Sequence, residues 1–285
     1  MLRNPDISPL SRLLRRMHAA ADGTPASDAV ATGFPSLDRL LGGGVRAGDL
    51  VVLGGDTGSG KSAFALSIAL RASEGERPAL FLSGEASVER TLERLLAAEA
   101  RARLDDIRTG ALDEPTRIAV GAAGLHLRDT PLRCEEWPNA GVSELADRVR
   151  EAPELRLVVV DSLQLLADPA RPHDEGVMAA AHALKRLAVA ANVAVLVTSH
   201  LPRFTRERDD PRPVLDDFGA LGAVRQHADV ALAIYREEMY ATSTRGVEGA
   251  TELLLLKNRH GNTGYADLYF YKQWMRFEDM LDPDR

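Results

Sequence analysis

Cysteine is almost absent: Cys134 stands alone in 285 residues. An intrachain disulfide and a multi-cysteine zinc site are therefore excluded, and the lone thiol reads as a loop or partly buried residue, not a nucleophile. No apolar run is long enough to cross a membrane. The first residues, Met1-Leu2-Arg3-Asn4-Pro5-Asp6, lead into an arginine-rich amphipathic stretch and not into a signal peptide, so a cytoplasmic location is expected. Excess positive charge is also missing. A net charge of −7 argues against a globally basic nucleic-acid binder while leaving a local basic groove open. Internal repeats and low-complexity tracts are lacking. What remains, 45% hydrophobic and 27% charged residues, suits one globular domain with an appendage.

Residues 55–62 read Gly-Asp-Thr-Gly-Ser-Gly-Lys-Ser, a complete G-x-x-x-x-G-K-[ST] phosphate loop. An apolar strand, Asp49-Leu50-Val51-Val52-Leu53, precedes it, and a helix opens at Ser62-Ala63-Phe64 behind it. A glycine-rich turn can serve packing alone, but strand before and helix after is the context a nucleotide site requires. Glycines let successive N–H groups point at phosphates, and the helix N-terminus adds its positive dipole end. The expected ATP contacts are Gly55, Asp56, Thr57, Gly58, Ser59, Gly60, Lys61, Ser62 and Ala63. Lys61 should reach the β/γ-phosphates and the Ser62 hydroxyl should ligate Mg²⁺.

The chain divides into an N-terminal element, residues 1–30, and a domain over residues 31–285. Within the first, residues 8–20 predict a helix: Ser8 can cap it, Pro9 suits its first position, and Leu10, Leu13, Leu14 and Met17 share one face. Residues 21–30 have linker composition. The apolar stripe must be covered, either by this chain's own domain or by a neighbouring subunit. From Ala31 onward strands alternate with helices, which implies an α/β fold: a mostly parallel twisted sheet with helices on both faces.

Three strand ends carry chemistry. Leu157-Val158-Val159-Val160-Asp161 has the form of a Walker B strand, with Asp161 as a second Mg²⁺ ligand. Ser162 follows it where some hydrolases place a glutamate, so the catalytic base must come from another strand. Pro78-Ala79-Leu80-Phe81-Leu82-Ser83 leads to Glu85, at the edge where ligands bind in open α/β sheets. Glu85 is the candidate base for the attacking water, though acids at strand ends are often merely solvated. Val193-Ala194-Val195-Leu196-Val197-Thr198 ends in Ser199-His200, and His200 is either a γ-phosphate sensor or a structural histidine.

Several spaced segments then converge on one family. Thr32-Gly33-Phe34-Pro35-Ser36-Leu37-Asp38-Arg39-Leu40-Leu41-Gly42-Gly43 is similar to the opening segment of RecA-fold ATPases of the DnaB, RadA and KaiC types. The runs Glu93–Arg101, Val160–Leu165, Ala228-Asp229-Val230 with Ile234–Glu238, and Lys257–Gly264 resemble the replicative helicase DnaB specifically. The resemblance runs from about residue 31 to the C-terminus. It implies a RecA-like P-loop NTPase core, ATP with Mg²⁺, a homo-oligomeric and hexameric ring, and single-stranded DNA as substrate. It also implies that Lys257 and Arg259 reach the ATP of the adjacent subunit, the arginine as a finger on the γ-phosphate. The helix before the ATPase domain docks on the next subunit in this family, which assigns residues 8–20 to assembly.

Departures from the family matter equally. DnaB proteins carry a helical N-terminal domain, for which the residues before Ala31 are too few. No cysteine-based zinc module is present, against a full RadA-type protein. Where the DNA-contacting segment of DnaB commonly reads Arg-Glu-Ser-Gly, this chain has Gly219-Ala220-Leu221-Gly222. From Leu201 to Gly222 four arginines face five acids, a net charge of −1, with only Phe204 and Phe218 available for stacking. Remaining DNA contacts are expected near Gly222, from Arg225, and from Arg203 or Arg206. Three readings stay open: a DNA-translocating ring motor, a KaiC- or RadA-like regulatory or assembly ATPase that does not unwind DNA, and a module that holds ATP without turnover. The intact Lys61, Asp161, Glu85 and Arg259 speak against the last.

Overall fold

Short, strongly apolar segments need cover on both sides, and here they form the middle of a sheet. The computed structural model describes residues 9–21, 29–74, 77–137, 141–201, 208–240 and 246–280. β1 (Ala29–Val30) and β2 (Val45–Arg46) pair as a small antiparallel ribbon. The main sheet has nine strands: β3 (Leu50–Gly55), β4 (Ala79–Ser83), β5 (Leu132–Glu136), β6 (Leu157–Asp161), β7 (Ala194–His200), β8 (Val230–Tyr235), β9 (Ala250–Asn258), β10 (Gly264–Tyr271) and β11 (Arg276–Asp279). Their spatial order is β11-β10-β9-β8-β3-β7-β6-β4-β5. The strands from β8 through β5 run parallel, while β9, β10 and β11 continue the sheet antiparallel.

Side chains alternate across these strands, and each set meets different helices. Leu50 and Val52 of β3, with Val158 and Val160 of β6, face α7 (Val142–Glu151) and α8 (His173–Ala191), packing with Leu145, Val149, Leu184 and Leu187. Val51 and Leu53, with Leu157 and Val159, face the opposite way, onto Phe64, Ile68 and Leu70 of α3 (Lys61–Glu74). Each of these fully buried side chains contributes roughly 1.5–3 kcal/mol of hydrophobic stabilisation. Helix α3 is buried nearly all round, so its hydroxyls must bond internally. Ser67 Oγ donates to the Ala63 carbonyl and Ser73 Oγ to that of Ala69, both at 2.8 Å.

Helix α1 (Pro9–Ala21) forms where the apolar spacing requires it, and its Leu10, Leu13, Leu14 and Met17 are exposed. The folded domain begins earlier than composition suggests. Ala29 and Val30 read as linker in the sequence, but Val30 pairs with Val45 and both are buried. A two-residue strand is too short to show periodicity. Cys134 takes the partly buried alternative: it is half-buried on β5, and burial pushes its thiol up to about 12, which leaves it protonated and unreactive at neutral pH.

Candidate active site

Parallel strands bring their carboxyl ends to one edge, and the register is close. Gly55 pairs with His200, and Ser83 pairs with Asp161. The phosphate loop, Asp161, Glu85 and His200 therefore share one edge of the sheet, an arrangement that the order of strands in the sequence left undecided.

Within the loop, Gly58 and Gly60 hold φ of +80° and +101°, and a Cβ on Gly60 would come within 2.8 Å of the Phe277 ring. Only glycine fits at position 60. Thr57 and Gly58 are exposed at the tip, whereas Asp56, Ser59 and Lys61 are buried. Lys61 Nζ donates to the Asp56 carbonyl at 2.9 Å. Burial pulls its ammonium below the ordinary value, opposed by the charges of Asp161, Glu85 and Asp56. The buried Ser59 hydroxyl has no hydrogen-bond partner among the described residues. An orphaned buried donor beside a curled backbone and a helix N-terminus fits a phosphate chain. Ser62 and Asp161 supply the hard oxygen donors that Mg²⁺ prefers. Asp161 is already oriented, since its Oδ1 accepts from Thr198 Oγ1 on β7.

Glu85 does not stand alone at its strand end. Its Oε1 accepts from Ser162 Oγ at 2.8 Å and lies 2.8 Å from His200 Nε2. Burial pushes the carboxyl up, but the bonds from Ser162 and His200 and the charges of His200 and Lys61 outweigh it and hold Glu85 below the ordinary range. A carboxyl so placed is ionised at neutral pH. Gln164 ties the neighbouring strand end to this group: its Nε2 donates to Ser199 Oγ at 3.0 Å, and its Oε1 accepts from the His200 N–H at 3.3 Å.

Sequence reasoning assigns no role to Ser162, Gln164 or Arg236. Ser162 carries meaning there only as the absence of a glutamate, whereas its hydroxyl is what grips the glutamate from the next strand. Arg236 is buried, with Nη1 donating to the Gly58 carbonyl at 3.3 Å and its guanidinium 4.7 Å from the Phe270 ring centre. Burial lowers its pKa. An arginine directly after a buried strand that ends beside the phosphate loop was the available signal.

Lys257 and Arg259 sit elsewhere. Because β9 runs antiparallel to β8, its last residues lie at the amino ends of the parallel strands, with Asn258 opposite Val230. Lys257 Nζ donates to the carbonyls of Arg225 and Ala228, both at 2.6 Å, and Arg259 Nη2 donates to those of Gln226 at 3.0 Å and Ala228 at 3.5 Å. The shared Ala228 carbonyl shows that the two cations project the same way. The length of β3 separates them from their own phosphate loop, roughly 16 Å at 3.3 Å per residue.

The DNA-contact expectations fare differently. Arg203 and Arg206 lie outside the described residues. Arg225 is not a free cation, because its Nη2 is paired with Asp216. The Gly222 N–H is also engaged, donating to the Gly219 carbonyl at 2.9 Å, so this group cannot face a phosphate without opening the turn. Arg208 is paired with Asp217 at 2.9 Å, and Arg212 with Glu252 at 2.5 Å and Asp210 at 3.3 Å.

The fold and this edge define a RecA-like P-loop nucleotide-binding domain of the α/β class. Comparison with known proteins narrows it. The family model described as DnaB-like helicase C terminal domain matches residues 29–279. The chain belongs to that family. It is 31% identical over 257 residues to the replicative DNA helicase DnaB of Leifsonia xyli subsp. xyli, covering 88% of this chain and 56% of that protein. It is 30% identical over 258 residues to the replicative DNA helicase DnaC of Bacillus subtilis, with the same coverage of 88% and 56%. The chain thus spans about half the length of the curated relatives it matches. Among solved structures, a DnaB-like replicative helicase studied with its primase interactions superposes with a TM-score of 0.86 at 24% identity, covering 97% of this chain and 68% of that one, which bears out the fold.

Proposed function

We propose that this chain is the ATP-hydrolysing motor domain of a DnaB-like helicase, working in the cytoplasm as a hexameric ring on single-stranded DNA. One observation carries the ring: the phosphate loop and the Lys257–Arg259 pair occupy opposite edges of the same sheet. Hydrolysis in one subunit then needs the far edge of the next, and the exposed leucines of α1 supply a surface by which neighbours hold together. Lys61, the loop N–H groups and Ser59 bind the phosphates. Mg²⁺, when bound by Ser62 and Asp161, neutralises charge on the phosphoryl oxygens. Glu85 takes the proton of the attacking water, Ser162 and His200 hold that carboxylate in place, and the neighbour's Arg259 meets the charge developing on the γ-phosphoryl group.

Assembly and DNA response test this together. ATP turnover per subunit should rise with protein concentration in step with ring mass by light scattering, and single-stranded DNA should raise it further. Full turnover by a monomer would sink the ring. A ring whose turnover ignores DNA would leave the motor intact and remove its substrate.

A further inference from the structure

Asp229 lies at the start of β8, its side chain 1% exposed, far from the phosphate loop and unused by the chemistry above. Its Oδ2 accepts from the Leu50 N–H at 2.8 Å and from Lys185 Nζ at 2.6 Å. Its Oδ1 faces Arg259 Nε at 3.2 Å without completing a hydrogen bond, and its backbone carbonyl accepts the Arg259 N–H at 2.8 Å. A buried carboxylate oxygen without a hydrogen bond is costly, and this one is aimed at a guanidinium. Arg259 Nη1 has no partner among the described residues, so the edge away from Asp229 is open.

We infer that Asp229 is a positioning residue for the trans-acting arginine finger: it holds Arg259 by Nε, and with Nη2 on the Gln226 and Ala228 carbonyls it presents Nη1 to the neighbour's phosphate. The inference rests on the finger reading proposed above. The geometry divides the labour between two oxygens. Oδ2 is fixed by the first residue of β3 and by Lys185, itself anchored to the Gly48 carbonyl at 2.8 Å. Oδ1 is therefore rigidly placed, and a long side chain that would otherwise sample many rotamers is confined near one. Lys257, locked onto two carbonyls beside it, keeps a second positive charge on the same face. A carboxylate that only braced the sheet would need Leu50 and Lys185 but not Arg259.

Mixed rings separate these roles. Lys61→Ala chains lack a working phosphate loop but carry the finger; Arg259→Ala chains have the loop but no finger. Mixing them should recover turnover at interfaces that join an intact loop to an intact finger. Asp229→Asn is then placed in one partner or the other. In the Lys61→Ala chain, whose finger is in use, it should reduce the recovered kcat about tenfold or more, with KM for ATP unchanged. In the Arg259→Ala chain, whose finger is gone, it should leave recovery within about twofold. Equal losses in both placements, or a loss in neither, would overturn the inference. If Asp229→Asn chains fail to form rings, Asp229→Glu in the same two placements reports the same asymmetry, since the charge stays and its reach changes. No recovery in the parent mixture would overturn the finger reading itself, and this inference with it.

Discussion

The nucleotide edge and the loop over residues 208–225 treat their charged groups in opposite ways. At the nucleotide edge Lys61 bonds only to a backbone carbonyl, Ser59 to nothing described, and Glu85 to two neutral or titratable donors. Opposite charges lie near them, Lys61 among Asp161, Glu85 and Asp56, yet Lys61 is in no direct ion pair with an acid among the described residues, which leaves its ammonium open to a ligand. In the loop every described arginine closes on an acid: Arg208 on Asp217, Arg212 on Asp210 and Glu252, Arg225 on Asp216. A phosphate would have to compete with a carboxylate already in place. The nucleotide edge is left open to a ligand, and the loop is closed on itself.

If that contrast holds, the nucleotide edge should be the fragile region. The largest loss is expected from Glu85→Gln, which keeps the shape but cannot accept the water's proton. Turnover should drop about 10²- to 10⁴-fold while ATP binding stays near normal. Wild-type turnover by this variant, measured by phosphate release, would shift the base to His200. Lys61→Ala comes next. Removing a direct cation from the phosphates should weaken ATP binding about 10- to 100-fold, read by displacement of a fluorescent nucleotide.

Ser162→Ala sharpens the comparison through pH. The Ser162 hydroxyl donates to the ionised form of Glu85 and so helps hold it below its ordinary value of 4.5. If Glu85 is the base, as proposed, it acts only when ionised, so wild-type turnover should persist as pH falls until that depressed value is reached. Without the donor the carboxyl titrates higher, and the acid limb of the kcat profile should move to higher pH. At neutral pH the loss should be smaller than for Glu85→Gln, about three- to tenfold. An unmoved acid limb would mean that His200 and Lys61 set the ionisation of Glu85 without Ser162.

Much of the nucleotide edge was legible because its signals are local. A phosphate loop, a buried strand ending in Asp161, and a strand leading to Glu85 each show their meaning within ten residues. Ser162 was not, since its partner is 77 residues away and a serine after an aspartate carries no pattern. Asp229 stood out only as part of a family segment; its bond to Leu50 spans 179 residues, a distance across which only the folded sheet brings groups together. In the loop, counting charges showed a deficit, but the count could not show which acid faces which arginine. β1 escaped for the opposite reason, being too short to display any period.

The smallest effect, and the one that tests the closed loop most directly, is on DNA. Restoring the family's arginine as Gly219→Arg is a poor instrument. Gly219 sits at φ +56° and ψ −135°, a conformation hostile to side chains, so the substitution would reshape the turn as well as add charge. Asp216→Asn leaves the backbone alone, removes one negative charge and releases Arg225 from its exposed partner. Exposed pairs of this kind contribute at most about 1 kcal/mol, so stability should barely change. Binding to single-stranded DNA should tighten, and log K should fall more steeply with log salt, by roughly 0.7 if Arg225 gains one phosphate. The wild-type slope should be shallow, because few phosphates are neutralised. A steep wild-type slope would show that cations outside residues 208–225 carry the grip. An unchanged slope in Asp216→Asn would show that Arg225 does not face the strand.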